Sequence, residues 1–529
     1  MLVKFIISLL PMLIYIYFKT KNSFHMLQQN WYNDGNRYVK WLFKNFKSNF
    51  LTLELLFIFF ILTMYIEDKF AMIVIVIFYT IAALINLNKT KKAQNKKPLV
   101  FTKRVKRLLV TTLILYFVPV IIISVNYNNN LLYVYYLLLG LMVYLNSLVV
   151  LIANIINKPI EKAINNKFKK SAINKLKNMN NMKVIGITGS YGKTSSKNIL
   201  SDVLNVQYTA FPTPKNFNTP VGLIITINNY LDKFNDLFIA EMGAFKRGEI
   251  KELCDLVHPT YGILTTIGTA HLDSFGSREN IQKGKFELIE SLPSDGIGIL
   301  NADDPYQKSY KLKNDCKIVW IGIDKDADVK ASNIKLSYTG TTFDVTFKGD
   351  KNKYHFETRL LGKANVYNIL AAIALGNELG IPKEKLAIGV KKVKPIEHRL
   401  ELKKMGNINI IDDAYNSNPV GSSMALDVLE LMPGKKIIVT PGMIEMGDEE
   451  YQLNKDFGIH IAKVCDAVIL VGKNQTKAIY DGLKEKKYND ENIHIIDDVK
   501  KAFPLMQELR TGETYVLLEN DLPDIFNEK

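Results

Sequence analysis

The sequence predicts a membrane α-helical N-terminal region of about five spans followed by two α/β domains, a central one built on a phosphate-binding loop (P-loop) and a Rossmann-like C-terminal one. Three observations lead there. Five apolar runs fill the first 157 residues; a glycine-rich loop with a lysine separates a β-branched stretch from a helical one near 183–204; and five further strand signals alternate with helical ones after residue 405. Charge divides the 529-residue chain at the same place. Before Met182, 24 Lys and Arg face 5 Asp and Glu, a net of +19, so the overall +16 leaves −3 for the remainder. The basic excess belongs to the N-terminal third, and no nucleic-acid partner is expected for the rest.

The runs occupy residues 3–18, 50–66, 70–87, 108–125 and 131–156, each near the ~20 residues that cross a hydrocarbon core. Connection 88–107 holds nine basic residues and no acidic one, and 19–50 is basic too, whereas IEDK and NYNNN are not. Lys and Arg are retained on the cytoplasmic side, so a multi-pass protein of the cell membrane is expected, with everything after residue 157 in the cytoplasm. A signal peptide at 1–18 is the competing reading, but no small-residue cleavage site follows. Segment 24–47 mixes aromatic and basic residues and reads equally as a surface-lying amphipathic helix or a solvated connection. Residues 158–182 form a basic linker toward anionic membrane lipid. Cys254, Cys316 and Cys465 lie far apart and read as ordinary buried thiols.

MKVIGITGS is a strand signal, GSYGKT the turn and SSKNILSDVL the helix. Backbone N–H groups from Gly189 to Lys193 can face phosphate oxygens at the helix N-terminus. Lys193 would neutralise the β- and γ-phosphates, and Thr194 would offer its hydroxyl to Mg²⁺. The spacing departs from GxxxxGK, since the earlier glycines are Gly186 and Gly189. Downstream, Glu241 ends an apolar strand and could reach the same metal, His271 follows another, and Lys285 lies on the next helix. Ligands of open α/β sheets gather at the carboxyl ends of strands.

In this order the motifs resemble the Mur ligases, ATP-dependent amide-forming enzymes of cell-wall precursor synthesis, over about residues 183–529. The resemblance is strongest to the branch that adds D-alanyl-D-alanine to UDP-N-acetylmuramoyl-tripeptide. TGSYGKTS (Gly189, Ser190, Tyr191, Gly192, Lys193, Thr194, Ser195) is similar to the family's phosphate loop, and TPKNFNTPVG to its substrate loop, with Asn216 and Asn218. The resemblance makes Glu241 and His271 metal ligands and Lys285 a lysine carbamylated by CO₂, which turns a cation into an anion beside Mg²⁺. It places Asn301 at the adenine, Arg399 and Asp413 on ATP, and Asn416 and Asn418 toward the substrate. It implies a central ATP-binding domain at 183–395 and a C-terminal domain at 396–529. Two Mg²⁺ ions are implied, and a reaction in which ATP phosphorylates a carboxylate that an amine, an amino acid or dipeptide, then attacks.

Three departures accompany the resemblance. Ala364 stands where the family has histidine, VLLENDLPDIFN stands where the branch has glycine–serine–arginine, and apolar runs replace the family's UDP-binding domain. The last suggests either a UDP-linked or a lipid-linked cell-wall precursor, or anchoring near other wall-synthesis enzymes. Competing functions are an inactive membrane scaffold, which predicts erosion of Lys193, Glu241, His271 or Lys285, and a transporter, which predicts charges within the spans. Neither pattern is present. Among ligases, a folylpolyglutamate-synthase-like activity is the rival.

Overall fold

A computed structural model describes residues 2–32, 37–52, 54–55, 68–92, 98–125, 132–179, 181–415, 417–444 and 446–521. The chain forms two compact units, Met1–Lys167 and Phe168–Lys529.

The first unit is helical. Its longest described helices are Leu10–Gln29, Asp68–Lys92, Lys103–Val125 and Asn146–Lys177, with Leu132–Tyr144 preceding the last. The expectation of about five spans is not met. Among the described residues one helix, Lys103–Ile122, is long and apolar enough to cross a membrane, and a pair bent by 74°, Val134–Tyr144 with Asn146–Lys177, passes the same test only if taken together. For runs 3–18 and 131–156 the reason is that hydropathy does not register helix breaks. Run 3–18 breaks at Leu9, and the helix that follows carries Lys19, Lys21 and His25. Run 70–87 lies inside the unbroken helix Asp68–Lys92, whose stretch Met72–Asn88 is apolar, and run 131–156 is broken between Tyr144 and Asn146. Run 50–66 lies mostly outside the described residues. The expected basic linker 158–182 is helical as far as Lys177. Polar bonds tie the helices inside the unit: Asn146 accepts from Thr20 and Tyr116 and donates to Ser23, while Tyr15 and Lys19 both bond the buried carboxylate of Glu54.

The second unit contains two sheets. The first runs β2-β3-β1-β4-β5-β6-β7-β8-β9, with β1 Lys183–Thr188, β2 Ala210–Pro212, β3 Leu237–Glu241, β4 Tyr261–Leu264, β5 Ile297–Asn301, β6 Lys317–Gly322, β7 Val329–Ser337, β8 Gly340–Phe347 and β9 Lys353–Thr358. β1 to β6 pair in parallel, and their Val- and Ile-rich runs are buried on both faces, as parallel strands require. The antiparallel segment read from the sequence at 317–357 begins only at β7, because β6 is parallel to β5. Helices Lys193–Leu204 and Lys363–Glu378 build the core on one face, and Pro220–Asn229, Glu249–Val257 and Arg278–Glu290 that on the other. Ala364 sits in the first turn of Lys363–Glu378, behind Gly362 in the left-handed region.

The second sheet runs β10-β11-β15-β12-β13-β14, with β10 Glu401–Met405, β11 Ile408–Asp413, β12 Lys435–Thr440, β13 Ala467–Val471, β14 Ile493–Ile496 and β15 Thr514–Glu519. All five strand signals read after residue 405 are strands, and β11 to β15 are parallel as a Rossmann-like sheet demands. β10 is an additional antiparallel edge whose Glu, Lys and Lys give it no apolar signal. The three cysteines are buried and free, and burial pushes the Cys254 thiol up to about 12.

Candidate active site

The site is assembled at the carboxyl ends of the central parallel strands. β1 lies between β3 and β4, so the loop leaving β1 is flanked by Glu241, the last residue of β3, and by the segment after Leu264. Gly189 has φ +154°, and a Cβ there would lie 2.0 Å from Thr265 Oγ1, so only glycine fits. Gly192 takes φ +79° and starts the helix Lys193–Leu204. The loop is fastened rather than loose. The Ser190 N–H donates to the Thr266 carbonyl at 2.7 Å, so of the amides read as phosphate donors this one is already engaged. The Tyr191 hydroxyl meets Thr269 Oγ1 at 3.0 Å, and its ring lies where a Cβ on Gly268 would stand, 2.3 Å away.

Lys193 Nζ donates to the carbonyls of Gly189 (2.6 Å) and Ser190 (3.1 Å). Burial holds its pKa down at about 8; Glu241 works against this and Arg399 with it. Glu241 is buried and collects three partners. Thr194 Oγ1 donates to it at 3.1 Å, Asn218 Nδ2 at 3.1 Å, and Lys197 forms an ion pair at 3.0 Å. One carboxylate therefore ties the phosphate loop to the loop carrying Asn216 and Asn218. A buried carboxylate beside a hydroxyl is the hard-oxygen set Mg²⁺ prefers, so these residues fit that ion.

Lys197 is the residue the sequence reading missed. Its Nζ also donates to the Lys215 carbonyl, and it is fully buried. Its signal was its place, four residues after Lys193 on the inward face of a helix, where a lysine needs a partner. Lys197→Met leaves Glu241 buried without its cation, so a destabilisation of about 3–5 kcal/mol is expected, read as a fall in melting temperature. An unchanged melting temperature would mean the ion pair is not formed.

Lys285 is fully buried on Arg278–Glu290. Its Nζ stands 3.5 Å from the Ala244 carbonyl and over the Phe275 ring. Burial first, and then the Lys193 charge, hold its pKa well below the usual lysine range. His271 adopts φ +62° at the start of the short helix Leu272–Phe275, its ring 4.4 Å from that of Phe245. Phe245 follows β3, so His271 and Glu241 approach the site from neighbouring loops. Among the described residues, no three His, Cys, Asp or Glu side chains gather as a metal cluster.

Arg399 lays its guanidinium 4.4 Å from the Tyr415 ring centre. Its charge acts on both Lys193 and Asp413. Burial pushes Asp413 up to about 6 against the pull of Arg399. Beside it on β15, Glu519 is buried, and burial together with Asp413 raises its pKa well above the carboxylate range. Asn216 reaches the Tyr415 hydroxyl. Asn301 is buried at the end of β5 and accepts from the Asp303 N–H, and Ser195 is buried in the first turn of its helix. Asn418 is a helix cap, its Oδ1 accepting from the Gly421 N–H at 2.8 Å. Asn416 and residues after Asp521 lie outside the described residues.

Residues 187–376 match the Mur ligase middle domain, and residues 398–518 match the Mur ligase, glutamate ligase domain. The UDP-N-acetylmuramoyl-tripeptide–D-alanyl-D-alanine ligase of Bacillus subtilis is 36% identical over 296 residues, 55% of this chain and 63% of that protein. Its Escherichia coli counterpart is 31% identical over 302 residues, 56% of this chain and 66% of that protein. The chain thus spans just under two thirds of the length of these relatives. MurF from Acinetobacter baumannii superposes with a TM-score of 0.60 at 25% identity, over 68% of this chain and 77% of the other. MurF from Thermotoga maritima in complex with ADP gives 0.61 at 24% identity, over 68% and 81%, a likeness of fold. The two α/β domains of this chain therefore belong to the Mur ligase family.

Proposed function

We propose that the chain is an ATP-dependent ligase of peptidoglycan precursor synthesis that adds D-alanyl-D-alanine to the carboxylate of UDP-N-acetylmuramoyl-tripeptide through an acyl phosphate. The observation that carries this reading is Glu241, a single buried carboxylate held jointly by Thr194 of the phosphate loop, Asn218 of the substrate loop and Lys197. A carboxylate oxygen of the substrate attacks the γ-phosphorus and ADP leaves. The amine then attacks the acyl carbon, and the C–O bond to phosphate breaks. Lys193, turning from the Gly189 and Ser190 carbonyls, offsets charge on the transferring phosphoryl group. Arg399, whose charge acts on Lys193, would share that task. Thr194 and Glu241 would hold Mg²⁺, which neutralises phosphate charge when bound.

Lys285 fits carbamylation. Burial favours the neutral amine of Lys285, and in that form the nitrogen lone pair adds to CO₂ with loss of one proton. The product is an anion where a cation would repel Mg²⁺; it and His271 would hold a second ion. The reading is tested with full-length protein, ATP, the UDP-linked tripeptide and D-alanyl-D-alanine. ADP release and a product heavier by one dipeptide less water are expected; ADP release without that product would sink the amine and carboxylate assignments.

We further assign the first unit to the cell membrane, with the ligase domains on the cytoplasmic side where ATP is available. Ile73, Ile77, Ile81 and Leu84 form an exposed stripe on Asp68–Lys92, and Val110, Ile114, Phe117 and Ile121 another on Lys103–Val125. Such patches on a water-facing surface are rare.

A further inference from the structure

The first unit contains a cavity of about 340 Å³ between the helices Leu10–Gln29, Lys103–Val125 and Leu132–Tyr144. Leu9, Met12, Leu139 and Val143 form its buried floor, and Leu13, Tyr17, Leu113 and Phe117 its exposed rim. The buried hydroxyls along its wall are already engaged in hydrogen bonds. Thr20 donates to Asn146 Oδ1, Thr112 to the Leu108 carbonyl, and the Tyr116 hydroxyl to Asn146 and the Met142 carbonyl. A dry apolar hollow takes an apolar occupant. It is also long: its lining runs along one helix from Met12 to Phe24, about 18 Å at ~1.5 Å per residue, which exceeds the ~15 Å half-thickness of a hydrocarbon core. A cation lines one end of it. Lys21 lines the cavity beside Phe24 and Phe101, with Lys103 exposed two residues further on; the opposite end is formed by Ile6, Leu9 and Val120.

We infer that this cavity is a binding site for one acyl chain of an anionic phospholipid, with the phosphate of the headgroup at Lys21 and Lys103. An acyl chain matches the length and dryness of the hollow, and a phosphate matches the cation of Lys21 at its mouth. The inference rests on placing this unit at the membrane and is independent of the ligase chemistry. A lipid held here orders helices that expose apolar side chains, so occupancy is expected to stabilise the unit.

The test uses full-length protein in non-ionic detergent, titrated with phosphatidylglycerol carrying brominated chains, with tryptophan placed at the cavity rim (Phe117→Trp) or at an outward position away from it (Val110→Trp). Quenching at position 117 is expected to saturate near one lipid per chain, and to need at least tenfold more lipid when Lys21→Glu is added. Quenching at 110 is expected to rise without saturation. Equal, unsaturable quenching at both positions would overturn the site. Displacement by a polyprenyl phosphate but not by excess unlabelled phosphatidylglycerol would overturn the occupant. Should Phe117→Trp not fold, lipid extracted from the wild-type protein after detergent exchange decides: about one phosphatidylglycerol per chain is expected, and none would refute the proposal.

Discussion

Turnover by the Lys193→Ala variant is expected to fall about a thousandfold, the scale of removing a principal donor to developing charge. Lys193 heads the helix behind the phosphate loop, and its ammonium bonds only the carbonyls of Gly189 and Ser190. Those two carbonyls lie in a loop already fastened by Ser190, Tyr191 and Thr266. The variant is therefore expected to keep its fold and lose the cation. Steady-state ADP release alongside circular dichroism separates the two effects, and preserved turnover in a folded variant would remove Lys193 from the mechanism. The depressed pKa adds a pH signature. Below about 8 the free protein carries the Lys193 ammonium and above it does not, so nucleotide affinity is expected to weaken as pH rises through that value.

Loss of the Lys285 amine is expected to be nearly as severe, a drop of a hundredfold or more in turnover for Lys285→Ala, because an anion held against bound metal would be replaced by an apolar gap. Small carboxylates such as acetate or formate are expected to restore part of the activity by standing in for the carbamate. A direct readout is available in the wild-type protein: ¹³CO₂ should give a carbamate carbon resonance that Lys285→Ala lacks. A wild-type protein without that resonance would leave Lys285 an unmodified buried lysine, and the carbamate assignment would fall. The environment favours the modification on physical grounds, since burial and the Lys193 charge both oppose the ammonium form.

Much of the second unit was legible because a phosphate site requires particular residues at strand ends. GSYGKT had to form a tight turn into a helix, and Gly189 does take a conformation and a contact no other residue would accept. Glu241 ended an apolar run and ends β3. The buried partners were less visible. Lys197 looked like one of many helix lysines, and only the fold brings Glu241 to it across the sheet. Asn418 followed the family's substrate pattern but spends its side chain on a helix cap. The strand β10 was missed because an edge strand with one solvated face carries charge instead of an apolar run. In the first unit, composition reported apolar residues correctly but said nothing of where helices break, so runs at 3–18 and 131–156 each became bent or divided helices.

The most direct measurement of the proposed chemistry follows oxygen. With both oxygens of the substrate carboxylate labelled with ¹⁸O, attack on the γ-phosphorus moves one of them into the acyl phosphate, and attack by the amine then releases it in inorganic phosphate. One labelled oxygen per phosphate, with the other retained in the amide carbonyl, is the expected result, and its appearance should be lost with Lys193→Ala. Phosphate without label, formed at the same rate as ADP, would show that water and not the carboxylate takes the phosphoryl group, and would contradict the assignment of this chain as an acyl-phosphate ligase.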